Sequence, residues 1–159
     1  MSILLGCKEI TLFLLIGVGC NANQNCKIIS SCEMECHFDG PAYDCSDRGF
    51  LELPSFPETT VMIDLGRNAL ATLPENLFET NVALSSLHID GNSLTTLPPN
   101  LFSSNVVLTY LKLTNNNLTS IPADVFKNNV ALAYLFLEDN NLTNVPNGVF
   151  RNNVALYLL

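Results

Sequence analysis

The sequence predicts an α/β solenoid, an arc of stacked coils with a parallel β-sheet on its concave side and mostly irregular or 3-10 structure on its convex side. Three observations support this prediction. The chain has 159 residues, of which 48% are hydrophobic and 14% charged, so it can bury a sizeable core. The same residue types recur every 24 residues, a period typical of repeat proteins. Four cysteines lie close together before the first repeat, where we expect a disulfide-stapled cap.

Residues 1–22 have the composition of a secretory signal peptide. An apolar run occupies residues 10–19, and small residues precede a cleavage point after Ala22. An uncleaved membrane anchor is the alternative, but a spanning helix needs about 20 apolar residues, and Lys8 and Glu9 interrupt the longer run. We therefore predict an extracellular protein, secreted or held at the cell surface.

Residues 23–58 form a predicted cap that covers the exposed apolar end of the first repeat. Four cysteines remain after signal cleavage, and four thiols in a secreted chain predict two disulfides. A tetrahedral zinc site that includes His37 is the alternative. Irregular cysteine spacing and an oxidising compartment favour the disulfides, so no metal or other cofactor is predicted. The four cysteines are Cys26, Cys32, Cys36 and Cys45.

Residues 59–159 contain four predicted complete repeats and the start of a fifth. Four columns of residues each keep a spacing of 24 without a slip. Within one repeat the pattern is L-x-x-L-x-L-x-x-N-x-L, as in LSSLHIDGNSL. No single repeat can bury its own apolar face, so we expect stability to come from contacts between neighbours. The columns hold Asn68, Asn92, Asn116 and Asn140; Pro74, Pro98, Pro122 and Pro146; Phe78, Phe102, Phe126 and Phe150; and Leu84, Leu108, Leu132 and Leu156.

A short strand is predicted in each repeat, followed by a turn that contains the asparagine. Along the strand, Leu87 and Ile89 would point to the interior, and the residues between and beside them would point outward. Backbone groups in the buried turn lack ladder partners, and each unsatisfied group costs about 1–3 kcal/mol. Asparagine carries both a donor and an acceptor on a short stem. We therefore expect a structural asparagine ladder that satisfies the turns and does not contact a ligand, formed by Asn68, Asn92, Asn116 and Asn140.

The repeat pattern, with its later L-P-x-x-x-F, resembles the typical 24-residue subclass of extracellular leucine-rich repeat proteins. The cysteine cluster and the segment CSDRGFLELP are similar to the cysteine-rich N-terminal module of Toll-like receptors, Slit proteins, small leucine-rich proteoglycans and variable lymphocyte receptors. The resemblance covers about residues 26–159 and implies an arc that recognises proteins. It also implies that Cys26 pairs with Cys36 and Cys32 with Cys45. The gaps of five, three and eight residues between these cysteines are wider than those of the family.

One column departs from the family pattern. Where the typical repeat has leucine three residues after the phenylalanine, this chain has asparagine followed by valine. We expect the asparagines to form a second polar ladder at the turn into the next strand, and the valines to fill the space of the missing leucine. The asparagines are Asn81, Asn105, Asn129 and Asn153, and the valines are Val82, Val106, Val130 and Val154.

The net charge and the motifs of the sequence argue against several classes of function. With 15 acidic and 7 basic residues and a formal net charge of -8, the chain lacks the basic face that binds nucleic acid or anionic membranes. The sequence contains no local nucleophile and base motif, no glycine-rich phosphate loop and no H-E-x-x-H motif. We therefore predict a protein that is not an enzyme and needs no small-molecule cofactor.

The outward positions of the strands differ from repeat to repeat, whereas the scaffold columns do not. We therefore predict that a protein ligand binds these positions on the concave face. Exposed aromatic residues in this set are typical interface anchors, and cross-strand packing among them is the alternative explanation for their presence. The predicted binding residues are Asp64, Ser86, His88, Asp90, Tyr110, Lys112, Tyr134, Phe136 and Glu138.

The sequence also yields predictions about glycosylation, about whether the chain is complete, and about the role of the protein. Sequons of the N-x-T type begin at Asn117 and Asn141, and in a secreted chain they predict N-glycans. No capping pattern follows the start of the fifth repeat, so we expect a fragment or a truncated product, with membrane attachment only through a missing C-terminal segment. An interface at which two copies of the chain pair is the alternative. The predicted function is noncatalytic recognition of a protein by a receptor or adhesion ectodomain, a class that includes immune receptors. A structural matrix protein of the small-proteoglycan kind is the alternative.

Overall fold

A computed structural model describes residues 33–37, 40–51 and 53–157 of the chain. Within these residues, six strands form one sheet in the order in which they occur along the chain. The predicted signal peptide, Cys26 and Cys32 lie outside the described residues. No helix among the described residues is long and apolar enough to cross a membrane. The strands are β1 (Glu33–His37), β2 (Gly40–Asp44), β3 (Met62–Asp64), β4 (Ser86–His88), β5 (Tyr110–Lys112) and β6 (Tyr134–Phe136).

The sheet is parallel from β2 to β6, and β1 joins it through an antiparallel pairing with β2. Each of the four repeats contributes one three-residue strand. Their central residues stand side by side in register and are fully buried. The predicted solenoid with a parallel sheet is therefore confirmed. The aligned central residues are Ile63, Leu87, Leu111 and Leu135.

The return segment of each coil is built from turns with hydrogen bonds of the 3-10 type. In the first coil, the Leu77 N–H donates to the Pro74 carbonyl at 3.2 Å, and the Asn81 N–H donates to the Phe78 carbonyl at 3.1 Å. Proline suits the first position because its carbonyl accepts a bond while its nitrogen needs no partner. The same pair of bonds recurs in each later coil, which agrees with the irregular and 3-10 convex side predicted from the sequence.

A column of phenylalanine rings runs through the core between the sheet and the return segments. Phe78, Phe102, Phe126 and Phe150 stack in this order, with ring centroids 6.4, 6.0 and 5.9 Å apart. The first three rings are fully buried, and Phe150 is partly buried. Each ring contacts its counterpart in the next coil, so burial of the apolar face depends on the neighbouring repeats.

The chain before the first repeat continues the hydrogen-bond pattern of the coils. The buried Cys45 donates its N–H to the Asp64 carbonyl at 2.8 Å, and the Arg48 N–H donates to Asn68 Oδ1 at 3.0 Å. These are the positions that a preceding repeat would occupy. Backbone N–H groups in the described part of the predicted cap therefore donate hydrogen bonds to the first coil. The disulfide pairing depends on cysteines outside the described residues and stays a prediction.

Burial declines toward the last described coil. Leu118 is fully buried, whereas its counterpart Leu142 is only partly buried. The Tyr157 N–H donates to the Ala133 carbonyl at 2.8 Å, so the start of the fifth repeat pairs with the coil before it. The middle coils thus have apolar neighbours on both sides, and the last described coil has fewer such contacts.

Candidate protein-binding face

The asparagine ladder fixes the turn that follows each strand. Asn92 Nδ2 donates to the Ile89 and Asp90 carbonyls of its own turn, at 3.1 and 3.2 Å. It also donates to the Leu65 carbonyl of the preceding coil at 3.0 Å, and its Oδ1 accepts from the Leu70 N–H at 3.1 Å. The backbone at the end of each strand is therefore held in the same way in every coil. Bonds of the same kind are made by Asn68, Asn116 and Asn140.

A residue in the left-handed region precedes each ladder asparagine, and our sequence analysis missed this feature. The φ angle is 52° at Arg67, 64° at Gly91 and 53° at Asn115. Each of these residues donates its N–H to a carbonyl of the next coil, as Arg67 does to Asp90 at 2.8 Å and Gly91 to Thr114 at 3.0 Å. Glycine and asparagine enter this region at little cost. The Gly-Asn, Asn-Asn and Asp-Asn dipeptides of the repeats were the available signal.

The second asparagine column is buried in the turn into each strand. Asn105 Nδ2 donates to the Phe78 carbonyl at 3.1 Å and to the Asn81 carbonyl at 2.8 Å. Its Oδ1 is also buried and has no hydrogen-bond partner within the described residues. Val106, which follows, is 48% exposed. The expectation that the valines replace the missing leucine is therefore wrong, because the amide itself takes that space and satisfies two buried carbonyls.

The outer sheet face is the set of side chains that leave the strands on the side away from the core. All nine predicted binding residues lie on this face, and none of them is buried. Asp44 extends the same row from β2 beside Asp64, and we missed it because the cap carries no repeat pattern. Ligand contact by these residues stays a prediction. The row through the strand ends holds Asp44, Asp64, His88, Lys112 and Phe136.

A hydrogen-bonded acid occupies the part of the face formed by β3 and β4. Asp64 Oδ1 accepts from the Gly66 N–H at 2.8 Å, and Asp64 Oδ2 lies 3.3 Å from His88 Nδ1. Burial raises the pKa of Asp64, but the hydrogen bonds from His88 and Gly66 outweigh burial and hold that pKa below its ordinary value. On its other side, His88 Nε2 lies 3.4 Å from Ser86 Oγ. Contacts on both sides therefore fix the position of the His88 ring on the outer sheet face.

An ion pair joins neighbouring coils. Lys112 Nζ lies 3.1 Å from Asp90 Oδ2, with 36% of the lysine side chain and 13% of the aspartate side chain exposed. The contact draws the ammonium group toward β4 and away from Phe136, the residue beside Lys112 on β6. A Cβ atom at Gly66 would lie 3.0 Å from Asp64 Oδ1 and 3.3 Å from Asp90 Oδ1. Glycine at this position therefore leaves room for both carboxylates.

The aromatic cluster, defined as Tyr110, Tyr134 and Phe136, covers the part of the face formed by β5 and β6. The Tyr110 ring is central, with its centroid 5.2 Å from that of Phe136, 6.1 Å from that of Tyr134 and 5.1 Å from that of His88. Tyr134 is 42% exposed, and the other two rings are half-buried. The rings therefore pack against one another across strands and still present apolar surface to solvent.

Both sequons lie on the surface next to the asparagine ladder. The side chains of Asn117, Thr119, Asn141 and Thr143 are exposed. In the described part of the chain, neither sequon asparagine uses its side-chain amide in a hydrogen bond, in contrast to the buried Asn116 one position earlier. The geometry leaves both amides accessible, and glycan occupancy stays a prediction.

Comparison with known proteins identifies the repeat. A family model described as leucine rich repeat matches residues 59–118 and 106–159, which together make up more than half of the chain. Domains of this kind generally mediate protein–protein interaction and are generally not catalytic. No curated protein matches the chain.

Proposed function

Because the chain belongs to the leucine-rich repeat family, we propose that it is a noncatalytic recognition module that binds a protein partner through its outer sheet face. The aromatic cluster is the main observation behind this proposal. Tyrosine and phenylalanine rings supply large contact areas at low conformational cost, and such residues dominate the energetics of protein interfaces. Here they are partly exposed on a sheet and surrounded by polar and charged side chains.

The scaffold beneath this face favours recognition because it is ordered before a partner arrives. The ladder asparagines and the stacked phenylalanines are the same in every coil. The outward side chains differ in charge, size and aromatic character from coil to coil. A preorganised surface loses little conformational entropy on association, so differences in affinity between partners would arise from the outward side chains.

Substitution of two rings tests the binding face. The full chain serves as bait in extracellular fluid from the source organism, and the captured partner is identified, purified and titrated by calorimetry. We expect Tyr110→Ala with Tyr134→Ala to weaken that partner by about tenfold or more. The matched control, Val82→Ala with Val106→Ala, removes two exposed apolar side chains from the coil flank. If the two double variants weaken the affinity equally, or if neither weakens it, binding at the outer sheet face is refuted.

The proposed setting is extracellular, as in a receptor or adhesion ectodomain. It is supported by the signal-like residues 1–22 and by the four clustered cysteines. Expression in a eukaryotic secretory cell, followed by N-terminal sequencing, tests this directly. We expect the chain in the medium with Asn23 as its first residue. A chain retained inside the cell with an intact N-terminus would contradict the proposal.

The same setting would supply N-glycans to the accessible sequons. We expect the secreted chain to gain mobility in gels after treatment with an amide-cleaving glycosidase. Asn117→Gln and Asn141→Gln should each remove part of that change, and the double variant should remove all of it. A secreted parent chain whose mobility the glycosidase leaves unchanged would rule the glycans out.

A further inference from the structure

The outer sheet face carries more negative than positive charge. Its one lysine, Lys112, is paired with Asp90. Within the described residues, the other three carboxylates of the face have no lysine or arginine within ion-pair distance. Asp64 lies against His88 and near Arg67, whereas Asp44 and Glu138 have no basic side chain within ion-pair distance in the described part of the chain. The face therefore keeps an excess of negative charge. The four carboxylates are Asp44, Asp64, Asp90 and Glu138.

Two arginines of the described chain are paired with aspartates outside the outer sheet face. Arg67 Nε donates to Asp47 Oδ2 at 2.8 Å, and Arg151 binds Asp124 at 3.0 Å. All four of these side chains are more than half exposed. A partner with basic side chains would thus complement the outer face without first breaking these pairs.

The carboxylates of the outer sheet face can attract a cation, and the aromatic cluster adds rings that can bind it as well. The faces of tyrosine and phenylalanine rings attract cations. A guanidinium group can stack on such a ring and bond a carboxylate at the same time, which an ammonium group does less well. Glu138 is exposed and lies two residues beyond Phe136, the last residue of β6. This combination favours an arginine side chain of the partner.

The distance between Asp64 and the aromatic cluster predicts the spacing of basic residues in the partner. Asp64 on β3 and Phe136 on β6 stand in one row, three strand intervals apart. At about 4.8 Å per interval this is about 14 Å, which four residues of an extended chain also span. Side chains at positions i and i+4 of such a chain point to the same side. Lys112 lies between the two ends and would repel a basic residue at the centre.

We propose that the partner lays an extended Arg-x-x-x-Arg segment across strands β3 to β6. One guanidinium group stacks on the aromatic cluster and pairs with Glu138. The other pairs with Asp64 and its neighbour Asp44, and an uncharged residue lies over Lys112. This inference rests on the proposed function and names the chemistry of the partner segment.

Two peptides of equal charge and composition test the pattern. The full chain, labelled for NMR, is titrated with Ac-Arg-Gly-Ser-Gly-Arg-NH2 and with Ac-Gly-Arg-Ser-Arg-Gly-NH2. We expect the first peptide to bind about threefold tighter or more, because only its arginines reach both ends of the row. Its resonance shifts should lie on β3 and β6. Equal affinities, or shifts away from the outer sheet face, would overturn the proposal.

Matched variants separate the site from net charge. Phe136→Ala and Glu138→Gln should each weaken the first peptide by about two- to fivefold. Glu79→Gln removes the same charge from an exposed return segment and should change nothing. An equal effect of Glu79→Gln would show that net charge alone attracts the peptide. If neither peptide binds while the natural partner still requires Tyr110 and Tyr134, the basic segment is refuted and the proposed function stands.

Discussion

At the scale of single residues, the ladder asparagine shows why one amide is required in each turn. Asn116 Nδ2 donates to the Ile89 carbonyl at 3.0 Å and to the Leu113 carbonyl at 3.1 Å, while its Oδ1 accepts from the Leu94 N–H at 3.1 Å. Aspartate has no donor for the two carbonyls, and leucine has neither donor nor acceptor. The position therefore demands both halves of the amide.

We predict that Asn116→Asp lowers the free energy of unfolding by about 3 kcal/mol or more, because it buries a carboxylate against carbonyl oxygens that lose their donor. Urea denaturation measures the change. The neighbouring Asn117→Asp adds the same charge at an exposed site, and there we expect less than about 0.5 kcal/mol. Similar losses in the two variants would mean that the added charge, and not the lost donor, destabilises the chain.

Ionisation of Asp64 makes part of the free energy of unfolding depend on pH. Its pKa lies below the ordinary value of 3.8, so folding favours the ionised form. The resulting stabilisation is complete above the ordinary pKa and is lost as the pH falls through the lower pKa of the folded state. We expect the stability gap between the parent chain and Asp64→Asn, measured in urea, to shrink as the pH falls from about 5 to about 2.5. A gap that widens with acid would have the wrong sign.

Residue roles were predictable from the sequence where spacing alone decides them. The ladder asparagines were placed by their 24-residue period, and their amides bond the turns. The second asparagine ladder was also predicted, but Val106 was expected to fill the space of the missing leucine, because an apolar side chain is ordinarily preferred over an amide for burial. Two backbone carbonyls that need a donor inside the coil reverse that preference. Such a requirement becomes visible only once the turn geometry is known.

At the scale of elements, the phenylalanine column ties each coil to the next. We predict that Phe102→Ala, in a fully buried ring stacked on both sides, lowers the free energy of unfolding by about 3–5 kcal/mol. Phe150→Ala, at a partly buried ring with one stacking partner in the described chain, should cost clearly less. Chemical denaturation of the two variants measures both costs. Equal costs would imply that stacking between coils contributes little.

The strands of the repeats could be predicted from the sequence, whereas the strands of the cap could not. Alternating apolar residues placed β3 to β6, because each repeat carries the same pattern. The hairpin of β1 and β2 has no such pattern, and its cysteines gave no information on strand pairing. Asp44, at the end of β2, was therefore missed although it extends the row of outward side chains.

At the scale of the whole molecule, contacts between neighbours predict a gradient of local stability. The middle coils are covered on both sides, whereas side chains of the last described coil such as Leu137 and Leu142 are only partly buried. We expect the Ile89 amide, bonded to the Lys112 carbonyl at 2.8 Å, to exchange with deuterium at least about tenfold more slowly than the Tyr157 amide. Exchange at one common rate would instead indicate a single cooperative unit.

The fold of the whole chain was predictable because its period constrains every coil in the same way. The identity of the partner was not, since the scaffold columns place no condition on the outward side chains. Charge and aromatic content restrict the class of partner, and the positions of Lys112 and the aromatic cluster on the sheet restrict it further. The 24-residue period aligns these positions side by side, as the strand register confirms, but it does not give the contacts between side chains, such as the ion pair of Lys112 and Asp90.

The ladder asparagines reach the preceding coil across the same intervals, 22 and 27 residues, at each of three successive turns. The ladder bonds in this series therefore do not depend on which particular repeat precedes each coil. Recombination between repeats, in whole units of 24 residues, can reorder the outward side chains while every turn keeps its bonds. A new arrangement of acids, rings and amines can thus arise in one genetic event that keeps the ladder bonds, and be selected for a different partner.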